Sequence, residues 1–375
     1  MRYFLIVGEP SGDLHGANLM RGILAADPEA EFRFWGGDKM AEVGGVENLG
    51  KHYKESSFFG IFQIVKNLPT ILRQLSECKA QVAEFKPDVL ILVDYAGFNL
   101  KMAKYAKSIG ITTHFYIAPK VWAWNEGRIK LIRSYVDELF VIFPFERDYF
   151  VSKGITPHFE GNPLVDALDQ RRATLPTREE FVAKNGLDGR PIIALLSGSR
   201  KSELKANLPY MVEVSRSFPD HQFVVAGTPW LSRAEYDKYI GGSDVKFVCD
   251  QTYELLNISE AALVTSGTAT LETALMGIPQ VVVFIIPRFH EMVKPYFLKI
   301  PFISLVNLNL GREAVREIVQ SSTDPKNCVE ALSAIVEGGA GREKMLSDYV
   351  ELQRISGGVG ASGRFAKKIV ELLKR

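Results

Sequence analysis

Short unbroken apolar runs punctuate this chain, and between them apolar residues recur at helical spacing. Val89-Leu90-Ile91-Leu92-Val93 shows no polar alternation, the pattern of a central parallel strand covered on both faces. By the same criterion strands are predicted in the first half over 3–7, 31–35, 112–117 and 138–143. A second series is predicted over 191–196, 222–226, 245–248, 261–265 and 280–284. Strands alternating with helical segments indicate α/β architecture with parallel sheets. The repetition of the series predicts two doubly wound, Rossmann-like domains facing across a cleft.

Between the two series, 166–190 is charged and carries Pro176, Gly186 and Gly189, so it reads as a linker region. The expected division is 1–167, then 168–345, with helices over 346–375 packing back towards the N-terminal domain. A length of 375 residues fits two cores better than one.

In open α/β sheets, ligands sit beyond the carboxyl ends of the strands, so the loops there hold the candidate chemistry. The stretch Ala262 to Ile278 is the most informative. A buried strand breaks at Ser266-Gly267-Thr268 before an alanine- and leucine-rich helix, and the free N–H groups and dipole of a helix start attract anions. An ordinary capped crossover helix has the same look. Glu272 lies within two turns of that start, placed to accept hydrogen bonds from a ribose diol. After the first strand of the second series, Ser197-Gly198-Ser199-Arg200 offers a guanidinium fork suited to a diphosphate.

In the first half, glycines 8, 12 and 16 resemble a phosphate loop but match neither the dinucleotide nor the Walker spacing. A helix is predicted to begin near Ala17, leaving Ser11, Gly12, Asp13 and His15 on the loop as substrate contacts, with Asp13 equally suited to capping the helix. Asp94 ends the central strand, where partial burial would raise its proton affinity and suit it to general base work; capping of the helix that follows is the alternative. Trp122 and Trp124 after the next strand suggest a rigid wall for a ligand or an interface.

From Phe58 to Leu68 the apolar residues, among them Phe58, Phe59, Ile61, Phe62 and Val65, wrap most of a helical circumference instead of one stripe. Lys51, Lys54, Lys66 and Arg73 flank them. A membrane surface, a tightly packed core helix and a protein interface each account for this pattern. Pro69 interrupts it, and Ile71, Leu72, Leu75, Cys78, Val82 and Phe85 predict a conventional amphipathic helix.

Composition narrows the picture without adding chemistry. Apolar content is 46%, charged content 24% and formal net charge +1, so there is no global footprint for nucleic acid. The three cysteines lack C-x-x-C spacing and the six histidines lack close ligand spacing, so neither a disulfide framework nor a metal site is expected. The N-terminal apolar run is too short for a signal segment, and no stretch reaches the ~18 apolar residues of a spanning helix.

The ordered set Ser11-Gly12-Asp13-Leu14-His15-Gly16-Ala17, Lys86-Pro87-Asp88, Asp94 with Phe98-Asn99, Val121-Trp122-Ala123-Trp124, Phe143-Pro144-Phe145-Glu146, Gly161-Asn162-Pro163-Leu164-Val165-Asp166, Gly198-Ser199-Arg200 and Ser266 to Glu272 resembles the lipid-A-disaccharide synthase family. These are inverting type B glycosyltransferases, and the motifs span almost the whole chain. The resemblance implies transfer of 2,3-diacylglucosamine from its UDP-linked donor to the 6-hydroxyl of 2,3-diacylglucosamine 1-phosphate, giving a β(1→6) disaccharide and UDP without a cofactor. It implies Asp94 as general base. Gly198, Ser199, Arg200, Ser266, Gly267, Thr268 and Glu272 are implied at the UDP moiety, and Ser11, Gly12, Asp13, His15, Asn99 and Trp122 at the acceptor and sugars. It further implies a cytoplasmic protein resting on the inner face of the inner membrane through the Phe58 segment, and a homodimer exchanging C-terminal segments. In place of the family's usual aromatic-then-basic pair after Val283, Arg288 is the nearest basic residue. Another type B sugar-nucleotide enzyme, such as a hexosamine epimerase or a different lipid-linked glycosyltransferase, and an inert nucleotide-sugar or lipid-binding protein are the rival readings.

Overall fold

A computed structural model describes residues 1–56, 67–123, 125–286 and 301–375. The Phe58 to Val65 residues, Trp124 and Arg288 lie outside the described residues. The chain forms two units, Met1–Asp166 with Ser356–Arg375, and Ala167–Ile355.

The first unit is built on seven parallel strands: β1 (Arg2–Ile6), β2 (Glu31–Gly36), β3 (Leu49–His52), β4 (Val89–Val93), β5 (Thr112–Tyr116), β6 (Glu138–Val141) and β7 (His158–Phe159). Their spatial order is β3-β2-β1-β4-β5-β6-β7, so the strand order reverses between β1 and β4. All five residues of β4 are fully buried, as its unbroken apolar run predicts. One core packs Leu5, Ile91 and Phe140 against Ala361, Phe365 and Ile369 of the final helix, Ala361–Leu373. Fully burying a leucine, isoleucine or phenylalanine side chain contributes on the order of 1.5–3 kcal/mol, which fixes the final helix to this unit.

Asp166 makes that attachment directional. Its carboxylate accepts from the backbone N–H groups of Gly360, Ala361 and Ser362 at 2.6, 3.2 and 2.7 Å, capping the final helix. The expected boundary at 346 therefore shifts. The helix Arg342–Ile355 stays with the second unit, where Met345, Tyr349 and Leu352 are buried, and the return to the first unit begins at Ser356.

The second unit has six parallel strands, β8 (Ile192–Leu196), β9 (Gln222–Gly227), β10 (Lys246–Cys249), β11 (Ala261–Thr265), β12 (Gln280–Ile285) and β13 (Glu317–Gln320). Their order is β10-β9-β8-β11-β12-β13, with the reversal between β8 and β11. The predicted linker is occupied by two helices, Pro163–Arg172 and Arg178–Asn185, the latter held by a Thr177–Glu180 capping box. Among the described residues no helix is long and apolar enough to cross a membrane.

Candidate functional site

In the first unit the helix after β1 begins at Pro10, not near Ala17. Proline suits a first helical position because its φ is pre-set and its missing N–H would have no intrahelical partner. Ser11, Gly12, Asp13 and His15 thus occupy the opening turns of a helix. Ser11 is exposed. Gly12 packs on Val7, just past the end of β1: a Cβ there would stand 3.1 Å from Val7 Cβ. Asp13 is buried, and its carboxylate accepts from the N–H groups of Gly37, Lys39 and Met40 at 2.8, 3.1 and 3.2 Å. It caps the helix Asp38–Gly44 after β2, whereas the sequence had placed it against a sugar or its own helix. His15 Nδ1 is buried with no hydrogen-bond partner among the described residues. Burial lowers the His15 pKa to about 4 against the opposing charge of Asp166, so the imidazole is neutral near pH 7.

Asp94 sits at the carboxyl end of β4, at the reversal of strand order, where such sheets bind ligands. Asp94 and Tyr95 both have left-handed backbone, with φ of 45° and 46°. Two successive non-glycine residues there are strained by roughly 1–3 kcal/mol each and persist only when the surroundings over-determine them. The Asp94 N–H donates to Tyr116 O at 3.2 Å. Asn99 Nδ2 donates to the carbonyls of Asp94, Val93 and Ile6 at 2.8, 3.2 and 3.5 Å. The Tyr95 ring stacks on Phe98 and covers Gly8, where an added Cβ would lie 2.4 Å from Tyr95 Cγ. Asn99 itself is fully buried, so it braces this turn from below and presents no atom to a sugar. Burial raises the Asp94 pKa, opposed by the positive charge of Lys120 and a backbone hydrogen bond from Tyr95.

Lys120 lies on the loop after β5, two residues before Trp122. Trp122 Nε1 donates to Glu146 Oε1 at 2.9 Å, and Glu146 Oε2 accepts from the N–H groups of Ile142 and Phe143, each at 3.2 Å. Burial pushes the Glu146 carboxyl up to about 7 despite these donors and Lys120. Lys120 and Glu146 are additions that strand-end reasoning passed over. The signal for Glu146 was its place three residues after Phe143, the residue before a helix-starting proline.

In the second unit, Gly198 has a φ of 103° and passes close to Glu203, leaving no room for a side chain. Glu203 Oε2 accepts from the N–H groups of Ser199 and Arg200 at 2.9 and 3.3 Å, and Oε1 from Arg200 Nη1 at 2.9 Å. Arg200 remains 77% exposed, so the pair is screened by solvent and its guanidinium is reachable. Trp230 Nε1 donates to Ser199 O at 2.9 Å, tying the loop after β9 to the loop after β8.

The helix after β11, Thr268–Leu275, starts behind Gly267 at φ 152°, an N-cap residue with no side chain to cap it, and Gly267 and Thr268 are exposed. Its first turn is braced from inside. Thr270 Oγ1 donates to Gly267 O at 2.8 Å, and Ser266 Oγ donates to Ile303 O at 2.8 Å. Glu317 holds that neighbouring loop by accepting from the N–H groups of Ile303 and Ser304 at 3.0 and 2.9 Å. Asn207, fully buried, donates to Thr265 Oγ1 at 3.1 Å and accepts from Ile285 N–H at 2.9 Å, binding the carboxyl ends of β11 and β12. A polar residue on the Leu204-Leu208-Met211 face of its helix was the available sign. Burial raises the Glu272 pKa, opposed by the neighbouring Tyr253 hydroxyl. Arg171 lies 4.6 Å over the Tyr253 ring.

Two clusters emerge. Around Asp94 the first unit offers a carboxylate of raised proton affinity beside a lysine charge, suited to taking a proton. In the second unit the β11 loop offers the exposed start of a helix and the β8 loop an exposed guanidinium, suited to holding an anion.

Comparison with known proteins identifies the fold and the family. A UDP-GlcNAc 2-epimerase from Neisseria meningitidis, solved bound to UDP-GlcNAc, matches over 100% of both chains with a TM-score of 0.69 at 16% identity. Sucrose-phosphate synthase from Thermosynechococcus elongatus matches with a TM-score of 0.63 at 13% identity, over 100% of this chain and 99% of its own. At such identities the likeness shows the fold alone, that of type B glycosyltransferases. The lipid-A-disaccharide synthase of Myxococcus xanthus is 36% identical over 99% of this chain and 97% of its own length. That of Geobacter sulfurreducens is 32% identical over the same shares. The family model described as lipid-A-disaccharide synthetase matches residues 3–366, and the chain belongs to the lipid-A-disaccharide synthase family of glycosyltransferases.

Proposed function

We propose that this enzyme transfers 2,3-diacylglucosamine from UDP-2,3-diacylglucosamine to the 6-hydroxyl of 2,3-diacylglucosamine 1-phosphate, with inversion, releasing UDP. The observation that carries the reading is Asp94: a strained, braced carboxylate whose proton affinity is raised by burial, at the strand-order reversal of the first unit. A general base works best when its pKa approaches the operating pH, and burial moves Asp94 in that direction. The 6-hydroxyl gives its proton to Asp94 while its oxygen attacks the anomeric carbon, and the bond to the UDP oxygen breaks.

The leaving diphosphate gains charge as that bond breaks. The exposed start of the helix Thr268–Leu275, with Ser266 and Gly267, and the guanidinium of Arg200 beside Gly198 and Ser199 stabilise it. Glu272, beside the Tyr253 hydroxyl, accepts from the ribose hydroxyls. Ser11, His15 and Trp122 line the sugar side, with Asp13 and Asn99 acting through the backbone they hold.

Both substrates carry acyl chains, so the reading places the protein peripherally on the inner face of the inner membrane, with the Phe58 to Val65 segment in the lipid surface. Leu68 and Leu72 are 46% and 53% exposed on the helix Leu68–Phe85, whereas the sequence pattern puts Leu72 on its apolar stripe. A homodimer belongs to the same reading. The test is product analysis with both diacylated substrates. An inverted, β(1→6)-linked disaccharide 1-phosphate supports the proposal, and UDP formation without a disaccharide overturns it.

A further inference from the structure

We propose that Glu146 is a positioning residue for the transfer: its buried carboxylate fixes the indole of Trp122 at the carboxyl end of β5 and thereby shapes the acceptor side of the site. The inference rests on Trp122 lining that side, as proposed above. Glu146 is 1% exposed, at the third position of the helix Pro144–Ser152. A cap needs one oxygen, and Oε2 already serves it by accepting from the N–H groups of Ile142 and Phe143. The other oxygen crosses from the β6 loop to the β5 loop and accepts from Trp122 Nε1 at 2.9 Å.

Aromatic packing completes the hold. The Trp122 ring meets the edge of Phe145 at a centroid distance of 4.9 Å, and Phe145 stacks on Phe143 at 5.7 Å. The indole is thus set by one hydrogen bond and one ring contact while part of its surface stays open to solvent. Burying a carboxylate is costly, which its pKa near 7 reflects, and a solvent-exposed cap would serve the helix at less cost. The tie to Trp122 is the bond that reaches across to the β5 loop.

The experiment measures acceptor KM, kcat and thermal midpoint for Trp122→Phe, Glu146→Gln, the double variant and Trp122→Ala. Phenylalanine keeps a ring and deletes the N–H. Glutamine keeps the shape but has one accepting oxygen, too few for donors on two loops. The expected result is a rise in acceptor KM of about 5- to 10-fold in each of the first two variants, with kcat within about 2-fold, the range set by losing one charge-assisted hydrogen bond. The double variant should be no worse than the worse single. A fold-only role would lower the thermal midpoint of Glu146→Gln and leave KM unchanged; that result, or fully multiplying effects in the double variant, overturns the proposal. If Glu146→Gln does not fold, Trp122→Phe decides alone: raised KM at unchanged midpoint supports, unchanged KM overturns. Unchanged KM in Trp122→Ala would instead remove Trp122 from the acceptor side.

Discussion

The side-chain amide of Asn99 donates to the main-chain carbonyl of Asp94 at 2.8 Å, so a fully buried residue holds the backbone of a partly buried carboxylate in a conformation it would not otherwise keep. The same amide reaches the carbonyls of Val93 and Ile6, joining the ends of β4 and β1 at the reversal of strand order. Replacing Asn99 by Ala leaves these acceptors without that donor. Stability is expected to fall by about 1–3 kcal/mol, and kcat by roughly tenfold as the Asp94 turn relaxes. Urea unfolding and steady-state kinetics check both; a loss of stability with unchanged kcat would show that the turn does not serve catalysis.

Gly8 and Tyr95 make a second, independent handle on the same turn. A Cβ at position 8 would lie 2.4 to 2.7 Å from three atoms of the Tyr95 ring, so Gly8→Ala must displace the ring and the left-handed residues that carry it. The variant should lose kcat by about tenfold or more. Adding Tyr95→Ala should restore part of the loss if displacement of the ring is its cause. No recovery in the double variant would contradict that.

Removing the charge of Asp94 should stabilise the protein while disabling it. Its folded pKa is raised above the ordinary carboxylate value, so the folded state holds the proton more tightly than the unfolded state does. The cost of burying the anion is therefore fully present above the raised pKa and vanishes as pH falls through it to below the ordinary range. Asp94→Asn is expected to raise the thermal midpoint near pH 8, to lose that advantage near pH 3, and to lower kcat by about 10² or more. An advantage independent of pH would show that the gain does not come from this carboxylate.

On the proposed nucleotide side, the Tyr253 hydroxyl neighbours Glu272 and opposes the rise in its proton affinity that burial causes. Tyr253→Phe should raise the donor KM by about 3- to 10-fold and leave acceptor KM and kcat near wild type, since a polar neighbour that favours the Glu272 carboxylate is lost. Titration with UDP alone checks the assignment. Equal UDP affinity in both proteins would separate Tyr253 from the nucleotide.

Much of this architecture is legible in residue pattern. The buried strands β4, β8 and β11 announce themselves as unbroken apolar runs, because burial on both faces leaves no position for a polar side chain. The strands β3, β7 and β13 do not: Leu49–His52, His158–Phe159 and Glu317–Gln320 are short, and polar at half or more of their residues, being ordered by pairing along a neighbour. Strand ends pointed to Asp94 and to the β8 and β11 loops. What they could not show is which polar residues support others from behind. Asp13, Asn99, Asn207, Glu203 and Glu317 all spend their oxygens or amides on backbone or neighbouring groups distant in sequence or hidden within a turn, and such partners exist only once the strands are assembled. The early start at Pro10 was legible in principle, since proline favours a first helical turn, but the glycines at 12 and 16 obscured it.

The central claim is that Asp94 removes the acceptor's proton during UDP-linked transfer of a diacylated sugar. Its most direct measurement is the pH dependence of UDP release by wild-type and Asp94→Asn protein, with UDP-2,3-diacylglucosamine and 2,3-diacylglucosamine 1-phosphate both present. The account predicts acceptor-dependent release by wild type, falling on the acid side at a pH above the ordinary carboxylate range, and a rate lower by about 10² or more, without that acid limb, in the folded variant. Wild-type release that does not require the acceptor, or a variant that retains full rate with the same acid limb, would contradict it.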